Sequence, residues 1–157
     1  MYNGSSSCVI NNGQSSEWFS VKTGVRQGCV MSGFLFIIAV DWVMKNTSNG
    51  KRTGIRWKFI NQLEHLDYAD DIALLSTKHQ HLQEKTERLC KHAESIGLRI
   101  NTNKTKVLRI KNKETNHITI KGRNVEDVDT FTYLNAIVNN RRHQAQTEFS
   151  QECICNA

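Results

Sequence analysis

Residues 63–75 read Leu63-Glu64-His65-Leu66-Asp67-Tyr68-Ala69-Asp70-Asp71-Ile72-Ala73-Leu74-Leu75. The pattern predicts two short strands, Leu63–Tyr68 and Asp71–Leu75, meeting at a polar tip. Asp70 and Asp71 stand side by side where the two apolar runs join. Along a regular strand, neighbouring side chains point to opposite faces. A sharp turn can instead swing both carboxylates toward one point. Carboxylates held that close repel each other unless a cation lies between them. Mg²⁺ suits such a place, because it prefers oxygen ligands and is often held by one or two carboxylates plus substrate phosphates. An ordinary hairpin turn satisfies the same pattern.

Outward from this stretch, Thr77–Ile96 is the clearest helix. Thr77 and Gln80 have capping-box spacing. Leu82, Thr86, Leu89, Ala93 and Ile96 recur at three- and four-residue steps and predict one buried stripe. Gly97 is positioned to stop the helix. Upstream, Ser32 can cap a second helix that runs to about Asn46. That helix is apolar nearly all round, which predicts burial. Short strands are expected near Cys8–Ile10, Glu17–Thr23, Ile55–Ile60, Val107–Ile110, Ile118–Ile120 and Phe131–Val138. Residues 25–29 read as a loop, and the polar tail from Asn139 has no assignable structure.

The chain has 157 residues, with 21 Lys+Arg against 15 Asp+Glu and a formal charge of +6. That length suits one domain or a piece of a larger one. Residues 45–58 hold Lys45, Lys51, Arg52, Arg56 and Lys58 without an acid. Residues 97–113 hold Arg99, Lys104, Lys106, Arg109, Lys111 and Lys113, again without an acid. Such clusters suit phosphate backbones, where each neutralised phosphate releases a counterion; a solvated surface has the same composition. Five cysteines, an odd number without a C-x-x-C pair, support neither a disulfide framework nor a zinc site. They predict an intracellular protein, nuclear or cytoplasmic. The longest unbroken apolar run, Phe34–Val40, is too short to span a bilayer, and the start lacks a secretory signal, so no membrane is expected. Proline is absent.

The stretch Tyr68-Ala69-Asp70-Asp71, followed by Ile72-Ala73-Leu74-Leu75, resembles the Y-A-D-D catalytic hairpin of reverse transcriptases. The resemblance is nearest to those of non-LTR (LINE-type) retrotransposons. Three further blocks follow the family order. Gly24-Val25-Arg26-Gln27-Gly28-Cys29-Val30-Met31-Ser32 resembles the R-Q-G-x-x-x-S block. Gly97-Leu98-Arg99-Ile100-Asn101 with Lys104-Thr105-Lys106 resembles G-L-x-I-N-x-x-K-T. Phe131-Thr132-Tyr133-Leu134 resembles the F-x-Y-L block near the primer grip.

The resemblance implies an RNA-directed DNA polymerase acting on an RNA template and a DNA primer. Asp70 and Asp71 would hold Mg²⁺, two ions in the intact family site, for phosphoryl transfer. Tyr68 would sit beside the primer terminus. Arg26, Gln27 and Gly28 would face the nucleic-acid backbone, template and incoming nucleotide. Lys104 would assist the leaving pyrophosphate. The expected fold is α+β: a partial polymerase palm, with a small antiparallel sheet carrying the Y-A-D-D hairpin packed on two helices. The expected organisation is palm over 1–110, a palm/thumb connection hairpin over 111–138, and a polar tail over 139–157.

The chain departs from the family pattern in places. Gly33 stands where proline is usual, and Asn135 where glycine is usual. More seriously, the family site needs a further Asp from a strand upstream of the R-Q-G block, and no Asp precedes Asp41 here. The fingers, most of the thumb and the endonuclease domain are likewise expected to lie outside these residues. A fragment that is inactive and poorly soluble alone is therefore expected. Two other readings fit the residues: a non-catalytic basic module that binds RNA or DNA, and a small phosphohydrolase built on Asp67, Asp70 and Asp71.

Overall fold

A computed structural model describes residues 4–21, 24, 28–48, 50, 52–57, 61–110, 116–140 and 151–155. The chain divides into two units, Met1–Leu35 and Phe36–Ala157.

In the first unit, β1 (Ser6–Ser7), β2 (Ile10–Asn11), β3 (Gln14–Ser15) and β4 (Phe19–Ser20) form two nested antiparallel pairs, β2 with β3 and β1 with β4. Asn12 and Gly13 both have positive φ, +49° and +79°. Asn-Gly is the favoured pair for such a two-residue hairpin. The Ser16 hydroxyl accepts a 2.9 Å hydrogen bond from the Val9 N–H and fixes the inner hairpin's base. The strand expected at Cys8–Ile10 thus starts only at Ile10. Of the stretch Glu17–Thr23, Phe19–Ser20 is extended and paired, and residues 22–23 lie outside the described set.

Helix α1 (Val30–Ser48) starts two residues before the expected Ser32 cap, and Ser32 lies in its first turn. Beyond it come β5 (Ile55–Trp57), β6 (Asn61–Leu63), β7 (His65–Tyr68), β8 (Asp71–Ser76), α2 (His79–Ser95), β9 (Lys106–Ile110), β10 (Thr119–Ile120), β11 (Arg123–Asn124), β12 (Glu126–Val128), β13 (Thr130–Tyr133), β14 (Ala136–Asn139) and β15 (Gln151–Cys155). The fold is α+β. The main sheet has the order β12-β9-β15-β8-β7. From β9 to β7 every neighbouring pair is antiparallel, and β12 joins β9 as a parallel edge. The tail that the sequence left without structure therefore supplies the middle strand. It pairs on both sides: Ile154, for example, lies opposite Leu74 of β8 and Val107 of β9.

One core holds the sheet to the helices. Ile72, Leu74 and Val107 pack with Val40, Val43 and Met44 of α1 and with Leu82, Leu89 and Ala93 of α2. The predicted stripe of α2 is the buried one, except that Ile96 lies at the C-cap and is 40% exposed. The outer side of α1 departs from the expectation of burial: Ile37, Ile38 and Trp42 are exposed. The sheet and α2 cover only one side of this nearly uniform apolar cylinder. By length and composition α1 could cross a bilayer, a point the count of unbroken apolar runs missed. Its buried side, however, belongs to the core shared with the sheet.

Helix α2 begins without the expected capping box. Its N-cap is Lys78, in extended conformation and without a side-chain cap. The turn is held instead by Ser76, whose hydroxyl accepts from the Lys78 N–H at 3.3 Å and lies 3.1 Å from the Thr53 carbonyl. The C-terminus follows the sequence. Gly97 has φ +84° and its N–H donates to Glu94 O, while the Leu98 N–H donates to Ala93 O. This is a Schellman stop.

A buried ion pair ties α2 to the base of the hairpin. Lys85 is 3% exposed, and its Nζ donates to Glu64 Oε2 at 2.5 Å and to Leu75 O at 2.6 Å. Glu64 in turn accepts from the Thr53 N–H and hydroxyl and from the Gly54 N–H. The backbone comes so close here that a Cβ on Gly54 would lie 2.1 Å from Leu63 O. Burial alone would raise the Glu64 carboxyl, but Lys85 and the two N–H groups outweigh it and hold it below its usual 4.5. Burial pulls the Lys85 ammonium below its usual value, against the pull of Glu64.

Losing the Glu64 charge leaves Lys85 buried without a counter-ion, so Glu64→Gln should cost about 3–5 kcal/mol in urea denaturation. A carboxyl lowered in the fold stabilises above its unfolded value and loses that contribution as pH falls through its folded value. Stability of the natural chain should therefore drop below pH 4.5. Glu64→Gln should remove this part of the pH dependence.

Candidate functional site

The two acids sit on a tight two-residue hairpin. Tyr68 and Asp71 are the last paired residues of β7 and β8, leaving Ala69 and Asp70 as the turn. Ala69 has φ +55°. A positive φ at the first turn residue matches the twist of the strands and is usually supplied by glycine. An alanine there stores strain, on the order of 1–2 kcal/mol. Asp70 and Tyr68 are exposed, and Asp71 is partly buried. The Tyr133 hydroxyl donates to the main-chain carbonyl of Asp71 at 3.3 Å, linking the F-x-Y-L stretch to the hairpin. Tyr133 closes β13, whose turn to β14 holds Leu134 and Asn135 at φ +47° and +63°. Asn135 thus takes the left-handed conformation that its replacement of the family glycine requires.

Asp70 also lines a cavity of about 150 Å³ beside the tip, together with Arg99 and apolar side chains of α1, α2 and β8. Arg99 is a residue whose place at the site the sequence reading missed. Its signals were its position within Gly97-Leu98-Arg99-Ile100-Asn101 and its membership of the basic segment 97–113. Lys104 lies in the turn after this stretch, where Asn101 Oδ1 accepts from the N–H groups of Asn103 and Lys104. Lys104 is exposed, and no contact joins its ammonium to the acids among the described residues. Gly28 is exposed with φ +80°. Arg26 and Gln27 lie outside the described residues. Asp67 is 3.7 Å from His65 Nε2. His65 is held below its usual value by burial, and its Nδ1 lies 3.0 Å from the Ser48 hydroxyl.

The second basic segment is acid-free in sequence but not in space. The parallel pairing of β12 with β9 sets Glu126 beside Lys106 and Asp127 beside Val107. Lys106 is ion-paired with Glu126. Arg109 Nε donates to Asp127 Oδ1 at 2.7 Å. Two cations expected to meet phosphate are thereby already matched.

Asp70 and Asp71 offer hard oxygen donors of the kind a divalent ion takes. Among the described residues, no group of three or more His, Cys, Asp or Glu is placed to hold a metal. The donors fit an ion that also draws ligands from substrate phosphates, and do not form an all-protein cage.

The two acids thus sit at the tip of a hairpin in a sheet packed against two helices, an α+β arrangement. The family model described as reverse transcriptase (RNA-dependent DNA polymerase) matches residues 2–145, and the chain belongs to this family. The family uses divalent metal ions and binds a nucleic-acid template. No curated protein matches the chain.

Ala69→Gly should relieve the strain at the turn and raise stability by up to about 1 kcal/mol in urea denaturation. Glu126→Gln should free Lys106 and tighten RNA binding. The slope of log affinity against log salt should steepen by roughly one counterion.

Proposed function

We propose that the chain is the C-terminal part of a reverse-transcriptase palm from a non-LTR retrotransposon, an RNA-directed DNA polymerase by descent that is inactive alone. One observation supports this most. Strands β8 and β9, joined through α2, run parallel to each other and stand one strand apart. The gap is filled by Gln151–Cys155, which lies beyond the residues matching the family. A sheet centre filled from outside the family region supports the reading that a strand of the family sheet is lacking here. That strand is the one expected to carry the further Asp. On this reading residues 1–110 are palm, 111–138 are the palm/thumb connection, and 139–157 are a tail of which residues 151–155 enter the main sheet.

In the intact family site Asp70 and Asp71 would hold Mg²⁺, which would supply activation of the primer hydroxyl and charge neutralisation on the leaving pyrophosphate. Tyr68, exposed beside them, flanks the primer end. By the family resemblance Arg26, Gln27 and Gly28 would serve the template and incoming nucleotide, and Lys104 the triphosphate. The hairpin fixes where its carboxylates project, and Tyr133 braces its backbone. With two acids where three converge in the family, the positioning of the reacting oxygen is lost, a deficit of several kcal/mol. A purely nucleic-acid-binding module draws less support, since Lys106 and Arg109 are engaged by acids.

Primer extension on an RNA template with Mg²⁺ tests the proposal. No extension above background is expected. Robust extension that Asp70→Asn abolishes would overturn the claim of inactivity.

A further inference from the structure

Three side chains without a role in the reading above meet where α1 ends against β7. Ser48 is the last residue of α1, and its hydroxyl lies 3.0 Å from His65 Nδ1. On the other side of the ring, His65 Nε2 lies 3.7 Å from Asp67 Oδ1. At that distance, beyond hydrogen-bond length, the carboxylate acts on the ring through its charge. Ser48 and His65 are partly buried and Asp67 is exposed, so the cluster stands at the surface.

A carboxylate facing Nε2 favours the tautomer that carries its proton there. Nδ1 then keeps its lone pair, and the Ser48 hydroxyl donates to it. Burial is the largest influence on the ring and keeps it neutral. Lys85 of α2 acts in the same direction, against the pull of Asp67 and Glu64. A neutral imidazole within reach of a hydroxyl proton is a general base beside a nucleophile. Once the proton crosses, Asp67 offsets the imidazolium charge. So does the carbonyl end of α1, where positive charge is favoured.

We propose that Ser48, with His65 as its base and Asp67 as a positioning residue, is a nucleophile toward activated acyl donors of the aryl ester type. Ser48 Oγ bonds to the acyl carbon as its proton passes to His65 Nδ1. The bond from that carbon to the aryloxy oxygen breaks, and the aryloxide leaves with the electron pair. It needs no proton from the protein, and His65 returns its own to solvent. Water then attacks the acyl group on Ser48, giving a proton to Nδ1. Oγ departs and takes that proton back, releasing the carboxylic acid. The site shares no residue with the polymerase reading and does not depend on it.

Incubation of the full chain with p-nitrophenyl acetate tests the proposal, with the acetylated positions mapped and timed by peptide mass spectrometry. Ser48 should be acetylated, and His65→Gln should slow this by about 100-fold or more, the usual contribution of a general base. Ser48→Ala should remove the matching part of p-nitrophenolate release. Neither Ser48 nor His65 belongs to the apolar core, so these variants should keep the fold. The rate at Ser48 should rise with pH through a midpoint below 6.5. Asp67→Asn removes a group that raises His65, so it should move that midpoint lower still; an Asp67 with a merely structural role would leave it in place. Acetyl groups found on lysines but not on Ser48 overturn the proposal. So does a Ser48 rate that His65→Gln leaves unchanged.

Discussion

The ion pair between Lys85 and Glu64 joins the pieces that present the hairpin. Lys85 comes from the middle of α2, and Glu64 from the single residue between β6 and β7. Through the Leu75 carbonyl the ammonium also grips β8, and through Thr53 and Gly54 the carboxylate holds the segment leading into β5. Burying two charges is costly, and attraction offsets that cost only when the remaining donors and acceptors are satisfied. Here they are. The β7–β8 hairpin thus carries its acids on a base that is cross-braced to a helix.

The tip itself is held differently. Its turn contains an alanine in a conformation that favours glycine, and its flank is tied down by one tyrosine hydroxyl to a main-chain carbonyl. Strain of this kind persists where the surroundings over-determine the backbone, and such places tend to carry function. A firm base and a strained apex together fix where the two carboxylates start, whatever cation or substrate they meet.

Local chemistry was legible in the sequence. The apolar steps of α2 gave its buried stripe, Gly97 gave its end, and the two runs about Asp70 and Asp71 gave the hairpin. The ordered blocks gave the family. What was not legible depended on partners distant in sequence. Lys85 looks like an ordinary solvated lysine until the fold brings Glu64 to it. The basic stretch after Gly97 looks free of acid until β12 lies parallel to β9. Ser76 replaces the expected Thr77–Gln80 cap because the chain enters α2 directly from a buried strand end, where a hydroxyl facing Thr53 is already in place. The burial expected of α1 failed for a related reason: hydrophobicity tells which side chains seek cover, not whether enough protein is at hand to cover them.

The place of β15 has a consequence for how the chain is made. The middle of the sheet comes from residues 151–155, while the strands on either side are complete by Ile110. During synthesis from the N-terminus, β8 and β9 would emerge with open edges and wait some forty residues for their partner. Closure then depends on contacts spanning much of the polypeptide, a high contact order that slows folding. Throughout that interval the nascent chain presents two bare strand edges to its neighbours on the polysome, so misassembly between copies competes directly with completion of each one.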